Sequence, residues 1–347
     1  CGMDTRTDVL QTPVGRSKYA LDTPALLVDL DVMEANIARI VATCRAHGVA
    51  WRPHSKAHKT PEIAHMQITA GAIGVTCAKL GEAEVMAAAG IRDILIANQI
   101  VGPIKIDRLI RLVGRADPIV CVDSVENLIE LDAAFANAGK RLRVAIEVNI
   151  GMNRAGIAPG PSVAAFAQAI ADRAGLQFVG VVGWESQATT IADASEKERT
   201  VRNAVAQLTA SARACTSAGH DVEIVSCGGT GTFPYCAQQP GVTEVQVGGA
   251  IFSDMHYVTN YHVDFAPALT VLTTVAAHSS RLGVATLVAN VGFGHPLPLL
   301  RRFANLAAIH GGERVYAGLG AGWSRREFEA LGLEMPLHHE RLERLTE

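Results

Sequence analysis

The chain has no C-x-x-C pair, no lysine–arginine tract, no apolar run of membrane-spanning length and few aromatic residues, 5%. Each absence removes a class. Seven cysteines, at 1, 44, 77, 121, 215, 227 and 236, are odd in number and scattered. That pattern offers neither a disulfide frame nor a zinc spacing, and it predicts reduced thiols in a cytoplasmic protein. A net charge of −3 without interleaved basic and aromatic residues excludes a nucleic-acid partner. No charged-then-apolar leader opens the chain, so neither a secretion signal nor a membrane partner is expected. Cys1-Gly2 ahead of Met3 and the charged final run RLERLTE read as a remnant and a cut end. No G-x-G-x-x-G turn follows the first strand of the repeating pattern, which argues against an open doubly wound sheet.

What is present is an alternation. With 49% hydrophobic and 19% charged residues, the 347-residue chain is an ordinary globular protein. Short β-rich runs fall at 51–54, 73–77, 94–97, 118–122, 143–149, 178–183, 222–226 and 244–248. Most are continuously apolar, as parallel strands covered on both faces must be. Between them, 60–70, 80–90, 104–115, 124–138, 161–173 and 195–218 carry helix formers with apolar residues at helical spacing. Eight such units predict an α/β fold, a (β/α)8 TIM-type barrel. An extra strand over 25–30 precedes it, followed by a helix with Asp31 as N-cap and Glu34 at its third position. The expected domains are an N-terminal segment 1–49, a barrel 50–265 and an atypical tail 266–347.

In such a barrel, polar residues just past the strands converge at one mouth. In order they are His54 and Lys56; Cys77 and Lys79; Asn98 and Gln99; Asp123; Glu147, Asn149 and Arg154; Trp184 and Glu185; Ser226 to Thr232; Gly248 and Gly249. Lys56, in the run RPHSKAHK, is placed for imine chemistry. His54, His58 and Lys59 crowd it, and neighbouring cations lower a lysine pKa. On that run alone a solvated basic turn is the commoner fate. Strand seven opens into Gly228-Gly229-Thr230-Gly231 and strand eight into Gly248-Gly249. Glycine loops at these two positions form the usual phosphate site of the fold. Arg154 reads either as a surface arginine or as a partner to the oxygen or carboxylate of a bound cofactor and substrate.

Over roughly 20–275 the motifs TPALLVDL, RPHSKAHK, GAIGVTCAKLGEAE, ILIANQIVGP, EVNIGMNRAG, SCGGTGT and VQVGGAIFSDMHY resemble the fold-type III pyridoxal-phosphate enzymes of the D-threonine aldolase and D-serine dehydratase-like family, relatives of alanine racemase. The resemblance implies a Schiff-base lysine at Lys56, Arg154 beside the cofactor, and the phosphate held by the Gly228–Gly231 and Gly248–Gly249 loops. It implies a lyase acting on small D-3-hydroxy amino acids, and a homodimer. The family's aldolases often carry a tyrosine–histidine pair after the sixth strand, where this chain has Trp184-Glu185-Ser186-Gln187.

In that family a β-domain with a His-x-Cys or His-x-Asp pair follows the barrel and binds zinc or manganese. No such pair lies near this C-terminus, so the metal is expected absent and no metal ligand is assigned. His262-Val263-Asp264 has the spacing but follows the barrel directly, and it reads as a linker. The stretch 276–347, with GVATLVANVGFGHP and VYAGLGAGW, instead resembles the N-terminal half of luciferase-like monooxygenases. Strands over 283–291 and 314–319 and helices over 296–309 and from 324 are expected there, a βαβα tail in place of the β-domain. The chain therefore reads as a chimera. A catalytically silent cofactor-binding barrel is the alternative function, and a flavin-dependent oxidoreductase a minor one.

Overall fold

A computed structural model of the chain describes residues 27–253, 257–258 and 261–268, together with the backbone of four short strands between 284 and 320. Two compact units divide it, one formed by Asp29–Ala268. In that unit β1 (Ala50–Trp51), β2 (Val75–Cys77), β3 (Asp93–Ile96), β4 (Asp117–Val122), β5 (Leu142–Glu147), β6 (Leu176–Val182), β7 (Ile224–Cys227) and β8 (Glu244–Val245) form one eight-stranded sheet. The order is β1-β8-β7-β6-β5-β4-β3-β2, every pair parallel. The sheet thus curls until its first and second strands meet, the barrel the alternation predicts. Leu95, Ile119, Cys121, Ala145, Val179, Val182 and Ile224 pack into a core cluster. Burial on both faces explains why the strands read as unbroken apolar runs.

The seam between β1 and β2 is a bridge rather than a ladder. Trp51 and Pro53 accept from Ile73 N at 2.9 Å and Thr76 N at 2.8 Å. Pro53 has no N–H to return, so the exchange cannot continue. Only the isolated pairing His54↔Thr76 completes it. On its other side Ala50 N and Arg52 N donate to Thr243 and Val245 in register, and His54 N then shifts to Gln246, one residue on rather than two.

Helices α2 (Pro61–Ala70), α3 (Leu80–Ala88), α4 (Pro103–Leu112), α5 (Val125–Asn137), α6 (Pro161–Ala171) and α7 (Ala194–Ser217) fall where the spacing places them. The short α8 (Phe233–Cys236) is additional. Helix α1 (Leu30–His47) begins two residues earlier than the sequence suggests. Asp29, not Asp31, is its cap: extended, it accepts the Val32 N–H at 3.2 Å. Buried Asn36 ties α1 to the carbonyls of Ile251 and Ala266, at 3.1 and 2.8 Å. So α1 belongs to the barrel's compact unit. Of the strand expected over 25–30, the part before Leu27 lies outside the described residues.

One buried charge network joins the residue after β1 to the first residues of β3 and β8. Arg52, 2% exposed, donates Nε to both Glu244 oxygens, at 3.0 and 3.1 Å, and an NH1 hydrogen to Asp93 at 2.6 Å. Removing one member leaves Glu244 charged and unpaired in the interior. We expect Arg52→Met to cost about 3–5 kcal/mol, read as a lower urea midpoint. A midpoint within error of the parent would show that the network carries no stability.

In the second unit, β9 (Val284–Ala285) pairs with β11 (Val315–Tyr316) and β10 (Ala289–Asn290) with β12 (Leu319–Gly320), both parallel. These strands fall at the two expected positions, Gly320 one residue past the second. The helices expected over 296–309 and from 324 lie outside the described residues. No described helix is long and apolar enough to cross a membrane. Asp264 pairs with Arg39 at 3.0 Å.

Candidate active site

Lys56 sits in a single 3-10 turn, Ser55–Ala57, set by local bonds. His54 Nδ1 accepts the Lys56 backbone N–H at 3.3 Å, and Ser55 Oγ donates to the Thr76 carbonyl at 3.0 Å. Accepting at Nδ1 requires an unprotonated nitrogen there. Burial, and then the Lys56 charge, push the His54 imidazole down to about 3. His54 is therefore neutral and cannot be one of the crowding cations. His58 is turned to Thr60 and Lys59 lies 3.5 Å from Glu82.

The cation that reaches Lys56 comes from the fifth strand. Lys56 Nζ lies 4.7 Å from the centre of a Trp184 ring, and the Arg154 guanidinium 5.2 Å. The indole is a shared face for two positive groups. Desolvation, and then Arg154, lower the Lys56 pKa, while Glu82 opposes them. We expect Arg154→Ala to raise it, because one of the two causes is gone. The midpoint of a pH titration of trinitrophenylation, mapped to Lys56, should move upward. An unmoved midpoint would mean that burial alone sets the amine.

The loop carrying Arg154 is built by its own sequence. Asn149 Oδ1 accepts the N–H of Gly151 and of Asn153, both at 3.1 Å. Gly156, with φ 98°, donates to Asp123 at 3.0 Å. Glu147 takes a 2.6 Å bond from Gln99 and stands 3.9 Å from Arg154. Burial holds its carboxyl above the usual range. Gln99, Glu147 and Trp184 are legible as strand-end residues, but the contacts of Glu147 and Trp184 with Arg154, and of Gln99 with Glu147, are not.

The glycine loop after β7 is held from behind. Glu185, wholly buried, accepts the N–H of Gly228 at 3.3 Å and of Gly229 at 3.4 Å, and the Thr232 hydroxyl. Gly228 adopts φ 81°, where a side chain is strained. After β8, a Cβ on Gly248 would lie 2.1 Å from the His54 carbonyl oxygen. That close passage sets the eighth strand's exit against the Lys56 turn. A Cβ on Gly249 would meet Tyr257 Oη at 2.7 Å and Thr230 Oγ1 at 3.1 Å. Gly249, Thr230 and Tyr257 thus close around a small polar cradle that only glycine leaves open. Two hydroxyls and glycine backbone are the donor set a phosphate needs. Lys56, Arg154 and both glycine loops therefore share one mouth. Cys77 and Asn98, also strand-end residues, serve local bonds to Ser55 and Ala78.

Residues 28–256 match the family model "Alanine racemase, N-terminal domain", and residues 249–347 match "Luciferase-like monooxygenase". D-threonine aldolase of Arthrobacter sp. is 36% identical over 258 residues, covering 74% of this chain and 68% of that protein. D-threo-3-hydroxyaspartate dehydratase of Delftia sp. is 33% identical over 270 residues, covering 76% and 70%. Among solved structures, D-threonine aldolase from Filomicrobium marinum superposes with a TM-score of 0.70 at 36% identity, covering 73% of this chain and 69% of that one.

Proposed function

We propose, from the premise that the chain belongs to the alanine racemase N-terminal domain family, that it is a pyridoxal-phosphate lyase of D-3-hydroxy amino acids. The observation that carries the reading is a lysine of lowered pKa at the mouth of the barrel, beside a glycine-lined polar cradle. Lys56 would hold the cofactor's aldehyde carbon. Thr230, Gly231, Gly248, Gly249 and Tyr257 would take the phosphate, with Gly228 and Gly229 shaping the loop. Bound there, the cofactor supplies an electron sink for breaking a bond at the substrate's α-carbon.

The chain's own residues do the rest. His54, neutral, fixes the Lys56 backbone and so aims Nζ. A lysine of lowered pKa is more readily free as the amine, the form that takes a proton from the substrate's α-carbon, and the ammonium so formed is the form that returns one to it. Arg154 gives a carboxylate a cation that Glu147 steadies, and Trp184 walls the site with an apolar face. In aldol cleavage the Cα–Cβ bond breaks, the β-hydroxyl loses its proton and Cα gains one. In elimination a Cα proton and the β-hydroxyl leave as water. The aldolase and dehydratase relatives represent the two outcomes.

The luciferase-like match over 249–347 favours a second reading, in which the barrel holds the cofactor but turns over slowly. The cofactor-loaded chain should be assayed on D-threonine, D-serine and D-threo-3-hydroxyaspartate for aldehyde, keto acid and ammonia. Product from any of them supports the lyase. Cofactor capture with only traces of product and no response to manganese or zinc supports the slow barrel. Robust, chelator-sensitive cleavage overturns the slow barrel, and failure to capture the cofactor overturns both. A peptide mass map across 260–300 of natural material tests whether the two family segments form one polypeptide.

A further inference from the structure

Behind the β7 glycine loop lies a group of side chains that the chemistry above uses only as scaffold. Glu185, Cys227 and Cys236 are 0%, 1% and 0% exposed. One carboxylate oxygen and the two sulfurs lie within 4.8 Å of one another. The fold makes the meeting: Glu185 follows β6, Cys227 ends β7 and Cys236 ends α8. Nothing in their sequence spacing announces it.

A second observation concerns the carboxylate itself. Glu185 accepts from two backbone N–H groups, one hydroxyl and the Cys236 thiol, which is also bonded to Cys227, and among the described residues it pairs with no lysine, arginine or histidine. A buried carboxylate without a counter-cation is costly to keep charged. Two sulfurs face the same point.

We propose that Glu185, Cys227 and Cys236 form a binding site for one divalent cation of the zinc class. Two thiolates and one carboxylate are a borderline-soft donor set, which disfavours magnesium and calcium. Zinc bonds of about 2.3 Å to sulfur and about 2.0–2.2 Å to oxygen fit three donors grouped this closely. The fourth position is left to water. On binding, each thiol loses its proton to solvent, so two protons leave per cation and uptake weakens as pH falls. The cation stands behind the phosphate loop, on the carboxylate that holds Gly228 and Gly229. Its effect is to brace that loop, not to contact substrate.

The test uses the full chain, stripped with a chelator and with no cofactor added. It is titrated with cobalt(II), then with zinc. One cobalt per chain should bind, with a near-ultraviolet sulfur-to-cobalt band that zinc removes. Cys227→Ser and Cys236→Ser should each lose the band and weaken uptake at least tenfold. Cys44→Ser, altering a buried cysteine of α1, should keep both. X-ray absorption at the zinc edge of the unaltered chain should count two sulfurs, which decides the matter even where a serine variant fails to fold. No uptake, a shell of nitrogen and oxygen only, uptake unchanged in either cysteine variant, or a Cys227–Cys236 disulfide in the isolated protein each overturns the proposal. Leaving the cofactor out keeps this result separate from the lyase assay.

Discussion

Borohydride reduction of the chain loaded with pyridoxal phosphate should place the label on Lys56, and Lys56→Ala should take up none. Three lysines stand near the mouth in sequence, and their surroundings separate them. Lys59 is paired with Glu82 at 3.5 Å. Lys79 stands at the start of α3 and has no part in the group around Trp184. Lys56 alone of the three faces Trp184 and shares it with Arg154. Burial first and Arg154 second lower its pKa. A free amine is the reacting form, so the lowered pKa raises its fraction at neutral pH. Loss of the covalent link should weaken capture at least about 100-fold, about 2.7 kcal/mol. The visible band of the bound cofactor and a peptide map check it together. Label on Lys59 or Lys79 would remove Lys56 from the site, and with it the role given to His54.

Gly249→Val should abolish discrimination in favour of the phosphate while leaving the fold intact. The added side chain would meet Tyr257 Oη at 2.7 Å and Thr230 Oγ1 at 3.1 Å. Both are movable side-chain ends, so the barrel can yield, but it yields into the space of the cradle. Affinity for pyridoxal phosphate should fall at least about 30-fold, about 2 kcal/mol. Affinity for pyridoxal, which lacks the phosphate, should hardly change. The unloaded melting temperature should stay near the parent's. Gly248→Ala is the contrast. Its Cβ would lie 2.1 Å from the backbone oxygen of His54, which cannot rotate away. There the loss should appear in folding first. Equal weakening of both ligands by Gly249→Val would show that the loop is a turn and not a phosphate site.

The helices were legible because each buries one stripe, and that stripe repeats along the chain whatever it packs against. The strands were legible for a related reason: in a parallel sheet both faces are covered, so composition alone marks them. Their ends were less so. The sequence suggests a four-residue first strand, but β1 is two residues long: its pairing with β8 loses register where His54 N reaches Gln246, one residue past Val245, and on the β2 side Pro53 has no N–H to give. The α1 cap slipped from Asp31 to Asp29 because both are aspartates before the same apolar pattern. The backbone angles of Asp29, φ −76° and ψ 107°, and its bond from the Val32 N–H decide between them.

By itself the sequence determined the alternation, the barrel, the lysine at a strand end and the two glycine loops. These are local or periodic properties, written in residues that are neighbours in the chain. The partners of those residues were decided by tertiary structure. Arg154 reaches Lys56 across Trp184 from a different strand. The histidine beside Lys56 is neutral, because burial outweighs its ordinary basicity. Glu185 is joined to Cys227 and Cys236 by the curl of the sheet, which brings strand ends together whatever their distance in sequence. Electrostatics and ligand geometry act through space over a few ångströms. Chain order does not encode those distances until the barrel has closed.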